Sequence, residues 1–315
     1  MRVAILDDIH QAYEGTQGVA RLRERSEVRI FTGPFGSPQA LRGYDALIAN
    51  RERTRFTREL FEQLPDLRVL AQTGSHAYHI DLAAAQQRGI VVAKASSGAS
   101  TGAGELAIGL AIALLRQIPA MDGAVKAGQW PTPMGRELNG KTLGIVGLGQ
   151  VGRHVARIAS VIGMRVLAWS RHPDDGTAAS VGAAMVELDE LLRCADIVSV
   201  HATLSSHTRG LIDARRLALM KPTAFLINTA RGPIVDEAAL VDALATRGIA
   251  GAGLDVFDTE PLPAGHPLAK LPNVILTPHV GWPTDRKYEQ FADVAADVLL
   301  AWLDGREIPC FGAAH

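Results

Sequence analysis

Cysteine is scarce. Cys194 and Cys310 are the only two thiols among 315 residues, too few for a disulfide framework or a four-thiolate metal site. A reducing compartment is expected. Surplus charge of one sign is also missing: 32 Lys and Arg stand against 33 Asp and Glu, for a net charge of −1. That balance argues against a nucleic acid as the main partner. The N-terminus, MRVAILDDIH, carries one early Arg and then acids, without the apolar core of a signal peptide. The apolar stretch from Ala103 to Leu115 is broken by Gly104, Glu105 and Gly109. It is too short to span a bilayer and reads as a buried helix. These absences predict a cytoplasmic protein with no membrane partner.

What remains is the composition of an ordinary folded chain, 47% apolar and 21% charged. At ~100–200 residues per domain, the length suggests two domains. The first third alternates short β-branched runs with amphipathic stretches. Val3–Leu6, Val28–Phe31, Ala46–Ala49, Val69–Ala71 and Val91–Ala93 read as buried strands, with helices near Thr57–Leu64 and Leu82–Arg88. A second series begins at Lys141. Its strands are Thr142–Val146, Arg165–Ala168, Ile197–His201, Ala224–Asn228, Gly251–Val256 and Val274–Leu276. Between them lie helices at Val151–Ile162 and Asp236–Thr246, the latter with Gly248 just past its end. Two longer helices flank the series, Thr101–Arg116 and Thr284–Leu303, the second with Phe291, Val294, Ala295, Val298 and Trp302 on one stripe. The pattern predicts an α/β protein of two doubly wound domains with mostly parallel sheets. The chain is expected to cross between them twice. Residues 1–98 and 284–315 then form a flavodoxin-like substrate domain, and residues 99–283 a Rossmann nucleotide-binding domain.

The segment KTLGIVGLGQVG places Gly147, Gly149 and Gly152 in a G-x-G-x-x-G between an apolar strand and a helix that opens at Gln150-Val151. That is the context a dinucleotide turn requires: a tight turn, unobstructed approach of the pyrophosphate, and close helix–strand packing. The helix N-terminus offers free N–H groups to the phosphates. The next strand ends Trp169-Ser170-Arg171, without the acid that usually binds the ribose 2′-OH of NAD. A hydroxyl and a guanidinium suit a 2′-phosphate, so NADP is the expected cofactor. The alternative is NAD bound without the usual acid, with Asp174 and Asp175 just downstream.

Three later segments put polar residues at strand C-termini, the edge where ligands bind in such sheets. They are INTARGPIVDE with Arg231, GLDVFDTEPL with Asp255 and Glu260, and LTPHVGW with His279. Taken in this order after the dinucleotide turn, the sequence resembles the D-isomer-specific 2-hydroxyacid dehydrogenases, among them the glyoxylate and hydroxypyruvate reductases. The resemblance covers nearly the whole chain and is strongest from Glu137 to Trp282. It implies that Arg231 holds the substrate carboxylate and carbonyl, that His279 is the acid/base, that Glu260 pairs with it, and that Asp255 lies near the nicotinamide. It also implies a substrate loop at Gly74-Ser75-His76 and a substrate-side turn at Arg51-Glu52-Arg53-Thr54. Trp282 is a candidate pocket wall. A homodimer formed through the nucleotide domain is expected, with helix 101–116 a candidate packing surface.

The residue types suit the chemistry. Reduction of a 2-oxo acid builds negative charge on the carbonyl oxygen, which a cationic donor stabilises. His279 can give the proton or, in reverse, remove it, while Glu260 fixes its ring. Arg231 can clamp a carboxylate through two parallel bonds. Two features depart from the family pattern: Ala103-Gly104 before Glu105, and the ring-rich His76, Tyr78 and His79. The histidine pair reads as local packing, and no metal is expected. Reduction of glyoxylate or hydroxypyruvate with NADPH is the leading reading. The alternatives are an NAD-linked dehydrogenase for another 2-hydroxy acid and a non-catalytic dinucleotide-sensing corepressor. A regulatory domain after the C-terminal helix is not expected, which disfavours the serine-feedback type of phosphoglycerate dehydrogenase. Glu260, rather than an amide, disfavours formate dehydrogenase.

Overall fold

A computed structural model describes residues 1–74, 76–96, 98 and 101–312. The chain divides into two compact units, Met1–Gly98 with Pro283–His315, and Ala99–Trp282.

The first unit begins β1 (Arg2–Ile5), α1 (Gln17–Arg23), β2 (Glu27–Ile30), β3 (Ala46–Ala49), α2 (Arg58–Glu62), β4 (Val69–Gln72), α3 (Leu82–Gln87) and β5 (Val91–Lys94). Its five strands are all parallel, in the order β2-β1-β3-β4-β5. β3 and β4 are buried on both faces, as a sheet covered by helices requires. Thr57 and Asp81 cap α2 and α3 with their side-chain oxygens, each satisfying an N–H that the first turn leaves free.

The second unit contains α4 (Gly102–Leu115), α5 (Ile118–Lys126), β6 (Thr142–Val146), α6 (Gln150–Ile162), β7 (Arg165–Trp169), α7 (Asp175–Ala179), β8 (Ala183–Met185), α8 (Leu188–Cys194), β9 (Ile197–Val200), α9 (Ala214–Leu217), β10 (Phe225–Asn228), α10 (Glu237–Ala245), β11 (Gly251–Leu254) and β12 (Val274–Leu276). Seven parallel strands run β12-β11-β10-β9-β6-β7-β8. The strand order reverses between β9 and β6, which makes that gap the place where a doubly wound sheet binds its ligand. The last helix, α11 (Asp285–Leu303), returns to the first unit.

Several expectations need correction. Helix α10 closes on Arg247 in the left-handed region (φ 59°), and Gly248 does not take that conformation. On α11 the buried stripe is Lys287, Tyr288, Phe291, Ala292, Ala295, Ala296, Val298 and Leu299. Val294 and Trp302 are only half-buried. Helix α4 spends its apolar face inside its own unit, with Ala107, Leu110, Ala111 and Leu115 buried. Ile112 on α4 is exposed, as are Ile118, Val125, Trp130 and Met134 on and around α5. No single helix among the described residues is long and apolar enough to cross a membrane. The pair α4 and α5 reaches that length and composition only together, bent by 60°.

Candidate active site

Each sequence motif of the second unit ends a strand at the same edge. β6 runs into Gly147, where φ is +104° and an added Cβ would stand 2.5 Å from the Ala202 nitrogen. Only glycine fits that turn. Gly149 differs: a Cβ there would meet nothing within 4 Å. No atom of this chain explains glycine at 149, whereas a pyrophosphate approaching the backbone does. Gly149 also caps α6 without any side-chain hydrogen bond, as a helix N-terminus that receives phosphates requires. The residues present therefore fit a dinucleotide.

At the end of β7, Ser170 is half-buried and Arg171 exposed. The Arg171 Nε donates to His172 Nε2 at 3.2 Å. The nearby Asp174 is engaged elsewhere. It caps α7, accepting from the Thr177 amide at 2.9 Å and the Thr177 hydroxyl at 2.7 Å. Those bonds hold its carboxyl below the usual range. Sequence reading passed over His201, one residue beyond β9 at the reversal point. Its Nε2 lies 2.8 Å from the Ser199 hydroxyl, and burial pushes its imidazole down to about 4, so it is neutral near pH 7. The signal was available in its register: His201 closes the strand that packs over Gly147.

β10, β11 and β12 carry the remaining motifs. Asn228 ends β10, and its amide both donates to the Arg231 carbonyl (3.0 Å) and accepts from Ala230 N (3.0 Å). This folds the Arg231 turn into a fixed shape. The half-buried Arg231 guanidinium donates to Ala230 O at 2.7 Å through Nη1. Asp255 follows β11 and is 1% exposed. One carboxylate oxygen accepts from Thr277 Oγ1 (2.6 Å) and Val280 N (2.8 Å), the other from Gly281 N (2.9 Å). Asp255 thus holds the turn after β12 from below. That turn presents His279 in a left-handed conformation, φ 55°. The His279 Nδ1 lies 2.7 Å from Glu260 Oε2. A carboxylate can only accept, so Nδ1 carries the proton and Nε2 is left for a substrate. Glu260 Oε1 accepts from Phe257 N at 3.0 Å. Trp282, half-buried, follows Gly281 directly.

Arg51 and His76 belong to the first unit, at the C-terminal ends of β3 and β4. Arg51 has φ 58°, its N–H donates to Thr73 Oγ1 (3.1 Å), and its Nε to Glu52 Oε2 (3.3 Å). His76 is exposed, and its carbonyl accepts from Gln72 Nε2 at 3.1 Å. Ser75 lies outside the described residues. His79 is 8% exposed, neither ring nitrogen has a hydrogen-bond partner among the described residues, and its ring packs near Phe56 and Tyr78. Burial pushes its imidazole down. No cluster of three metal-ligating side chains occurs among the described residues.

Residues 108–281 match the model of the D-isomer specific 2-hydroxyacid dehydrogenase NAD-binding domain. The chain belongs to that family. A glyoxylate reductase of Thermofilum pendens is 39% identical over 306 residues, which are 93% of this chain and 90% of that one. A D-3-phosphoglycerate dehydrogenase of Methanocaldococcus jannaschii is 34% identical over 310 residues, 97% of this chain but 58% of that protein. The chain therefore spans little more than half of the phosphoglycerate dehydrogenase it matches. A crystal structure of a putative D-3-phosphoglycerate dehydrogenase from Ralstonia solanacearum superposes with a TM-score of 0.85, at 34% identity, covering 98% of this chain and 96% of that one. The protein is thus an oxidoreductase of the 2-hydroxyacid dehydrogenase family with a nicotinamide dinucleotide as its cofactor.

Proposed function

We propose that this oxidoreductase reduces a small 2-oxo acid, glyoxylate or hydroxypyruvate, with NADPH. The observation that carries the reading is the 2.7 Å His279–Glu260 contact on the strand edge shared with the dinucleotide turn. The reduced dinucleotide supplies the hydride. The chain's own residues handle charge and proton. Glu260 holds the His279 ring through Nδ1–H, and Nε2–H of the imidazolium gives its proton to the carbonyl oxygen, leaving neutral His279. Arg231 clamps the substrate carboxylate and fixes the face presented for reduction. Arg51, Ser75, His76 and Trp282 are assigned to the substrate. Gly147, Gly149, Gln150, Val151, Gly152 and Asp255 are assigned to the dinucleotide, Asp255 by holding the turn above it.

For the choice of cofactor, Ser170 and Arg171 supply donors to a 2′-phosphate, and Asp174 is occupied as a helix cap. Arg171→Ala is expected to weaken NADPH more than NADH, and equal losses would remove the phosphate role. A panel of 2-oxo acids assayed with both reduced cofactors tests the whole reading. Turnover of none of them would leave the non-catalytic sensor. Turnover only of a phosphorylated acid with NADH would favour the NAD-linked alternative suggested by the phosphoglycerate dehydrogenase relatives. The reading includes a cytoplasmic homodimer. None of the residues of α5 is buried, and Trp130 and Met134 beside it are 83% and 93% exposed. Such a patch is uncommon on a monomer. The mass in solution, measured by light scattering, tests it.

A further inference from the structure

Beside the His279–Glu260 dyad the fold builds a second histidine–carboxylate pair. His266 Nε2 lies 3.2 Å from Glu237 Oε1, and both side chains are largely buried, 17% and 21% exposed. The proton can be placed from the neighbours. His266 Nδ1 accepts from the Leu268 amide at 3.3 Å, so Nδ1 bears no hydrogen, and Nε2–H donates to the carboxylate. The other oxygen of Glu237 accepts from the Asp258 amide at 3.2 Å. One carboxylate therefore grips both ends of the segment 258–266, and Glu260 lies inside that segment.

Glu237 itself stands six positions after Arg231, in the first turn of α10. Only the tight 3-10 turn Gly232–Ile234 and two more residues separate them. Packing joins the same two segments a second time. A Cβ on Gly232 would overlap the backbone of Phe257, so the Arg231 turn and the start of the Glu260 segment are in direct backbone contact. The arrangement carries an electrostatic cost. Burial, and then the neighbouring Glu237, raise the Asp258 carboxyl above its usual range.

We infer that Glu237 and His266 are positioning residues of the active site: they lock the loop that carries Glu260 onto the segment that carries Arg231. The clamp sets where Glu260 meets His279 and keeps that dyad in register with the guanidinium. It rests on the reading of His279 as the proton donor.

Two substitutions at His266 separate alignment from simple capping. In His266→Asn the side-chain oxygen can still cap Leu268 but cannot reach Glu237. In His266→Gln the terminal amide occupies the place of Nε2 and can still donate to Glu237, while the cap is lost. Both are assayed with the 2-oxo acid turned over fastest by the wild type. His266→Asn is expected to lose about 10- to 100-fold in kcat, the scale of a small misplacement of reacting groups. Its cofactor KM should be unchanged, and the pH–rate limb set by His279 should move. His266→Gln should keep kcat within about threefold, on the same scale. Wild-type kcat and pH profile in His266→Asn would overturn the inference. So would an equal loss in both variants. If His266→Asn does not fold, Glu237→Gln carries the test, because its NH2 group opposes one of the two donors. It should lose kcat, and wild-type turnover would refute the clamp. His279→Asn distinguishes the two levels of the argument. If it stays active, the proton-donor reading fails; if it is inactive while His266→Asn is normal, only the clamp fails.

Discussion

The two sheets end in polar edges of opposite character. On the seven-stranded sheet the functional groups point away from their own backbone supports. Gly149 leaves space that no protein atom fills, α6 starts without a side-chain cap, and His279 is oriented through one nitrogen with the other free for a substrate. On the five-stranded sheet several polar groups bind one another, while Asn50 Oδ1, Gln72 Oε1 and both His79 ring nitrogens have no hydrogen-bond partner among the described residues. Asp8 accepts from the Ala12 and Tyr13 amides, Asp7 from the Thr54 hydroxyl, and Thr73 both donates to Ala49 O and accepts from Arg51 N. The difference teaches how to sort polar residues at a strand edge. Groups bonded within the chain on every side, Asp255 and Glu260 among them, hold an edge in shape, and groups held on one side only, such as His279 and Arg231, are left to meet a ligand.

The sharpest break in that comparison is Arg231→Ala. Among the described residues its guanidinium donates to the neighbouring Ala230 carbonyl alone, so its removal should leave the fold intact. Turnover on 2-oxo acids should fall by at least ~100-fold, the cost of deleting a donor that serves the transition state. Cofactor titration followed by fluorescence should give a wild-type Kd. A variant with wild-type kcat would return Arg231 to the scaffold class.

Gly147 and Gly149, two residues apart, divide the comparison more finely. Gly149→Val places its side chain in open space, so its Tm should match the wild type. The same side chain obstructs an approaching pyrophosphate, at a cost of roughly 1–3 kcal/mol, about 5- to 150-fold in cofactor Kd. Gly147→Ala should instead destabilise the fold by at least ~2 kcal/mol, because the left-handed turn and the Ala202 backbone both exclude a Cβ. Denaturant melts with and without NADPH distinguish the two.

This sorting explains what the sequence could and could not tell. Strands buried on both faces, such as Ala46–Ala49 and Thr142–Val146, show as unbroken apolar runs and were placed to the residue. Helix α8 and the edge strand β8 were missed. Three residues with one buried, Ala183–Met185, leave no periodicity to detect, and β8 is fixed by pairing with β7 and by packing of Ala183 in the core. At the candidate site, strand-end position singles out Arg231, Glu260 and His279 as polar candidates, and the family resemblance supplies their expected roles. Their supports were hidden because support is a matter of distance in space. Nothing local marks Glu237 as the partner of His266, 29 positions away, nor Asp174 as the cap of α7.

A smaller effect belongs to the five-stranded edge. Asp8 is fully buried and supplies two acceptors to the chain after β1. Asp8→Ala leaves both amides unsatisfied and should lower stability by ~1–3 kcal/mol, read from the urea midpoint. The kcat of the folded fraction should remain within about twofold, since no reacting group is touched. A large loss of kcat at unchanged stability would move Asp8 from scaffold to chemistry.

The smallest effect is at Lys287, where the first unit buries a cation. The side chain is 2% exposed, its Nζ donates to Gly98 O at 2.7 Å, and it lies over the Phe291 ring. Burial, and then the Arg51 guanidinium, push the ammonium down from 10.5 to about 8. Below about pH 8 the lysine is charged in both the folded and unfolded chain, and the cost of burying that charge is fully present. Between about pH 8 and 10.5 the unfolded chain keeps a proton that the native protein has released, so stability attributable to this group rises with pH across that window. Lys287→Met removes the titration. The difference in unfolding free energy, wild type minus variant, should therefore increase between pH 7.5 and 9.5, by less than ~1 kcal/mol once screening is allowed for. A difference that stays level across that interval would mean that the Gly98 carbonyl and the Phe291 ring already compensate the ammonium in full, and that this edge holds its cation at no cost.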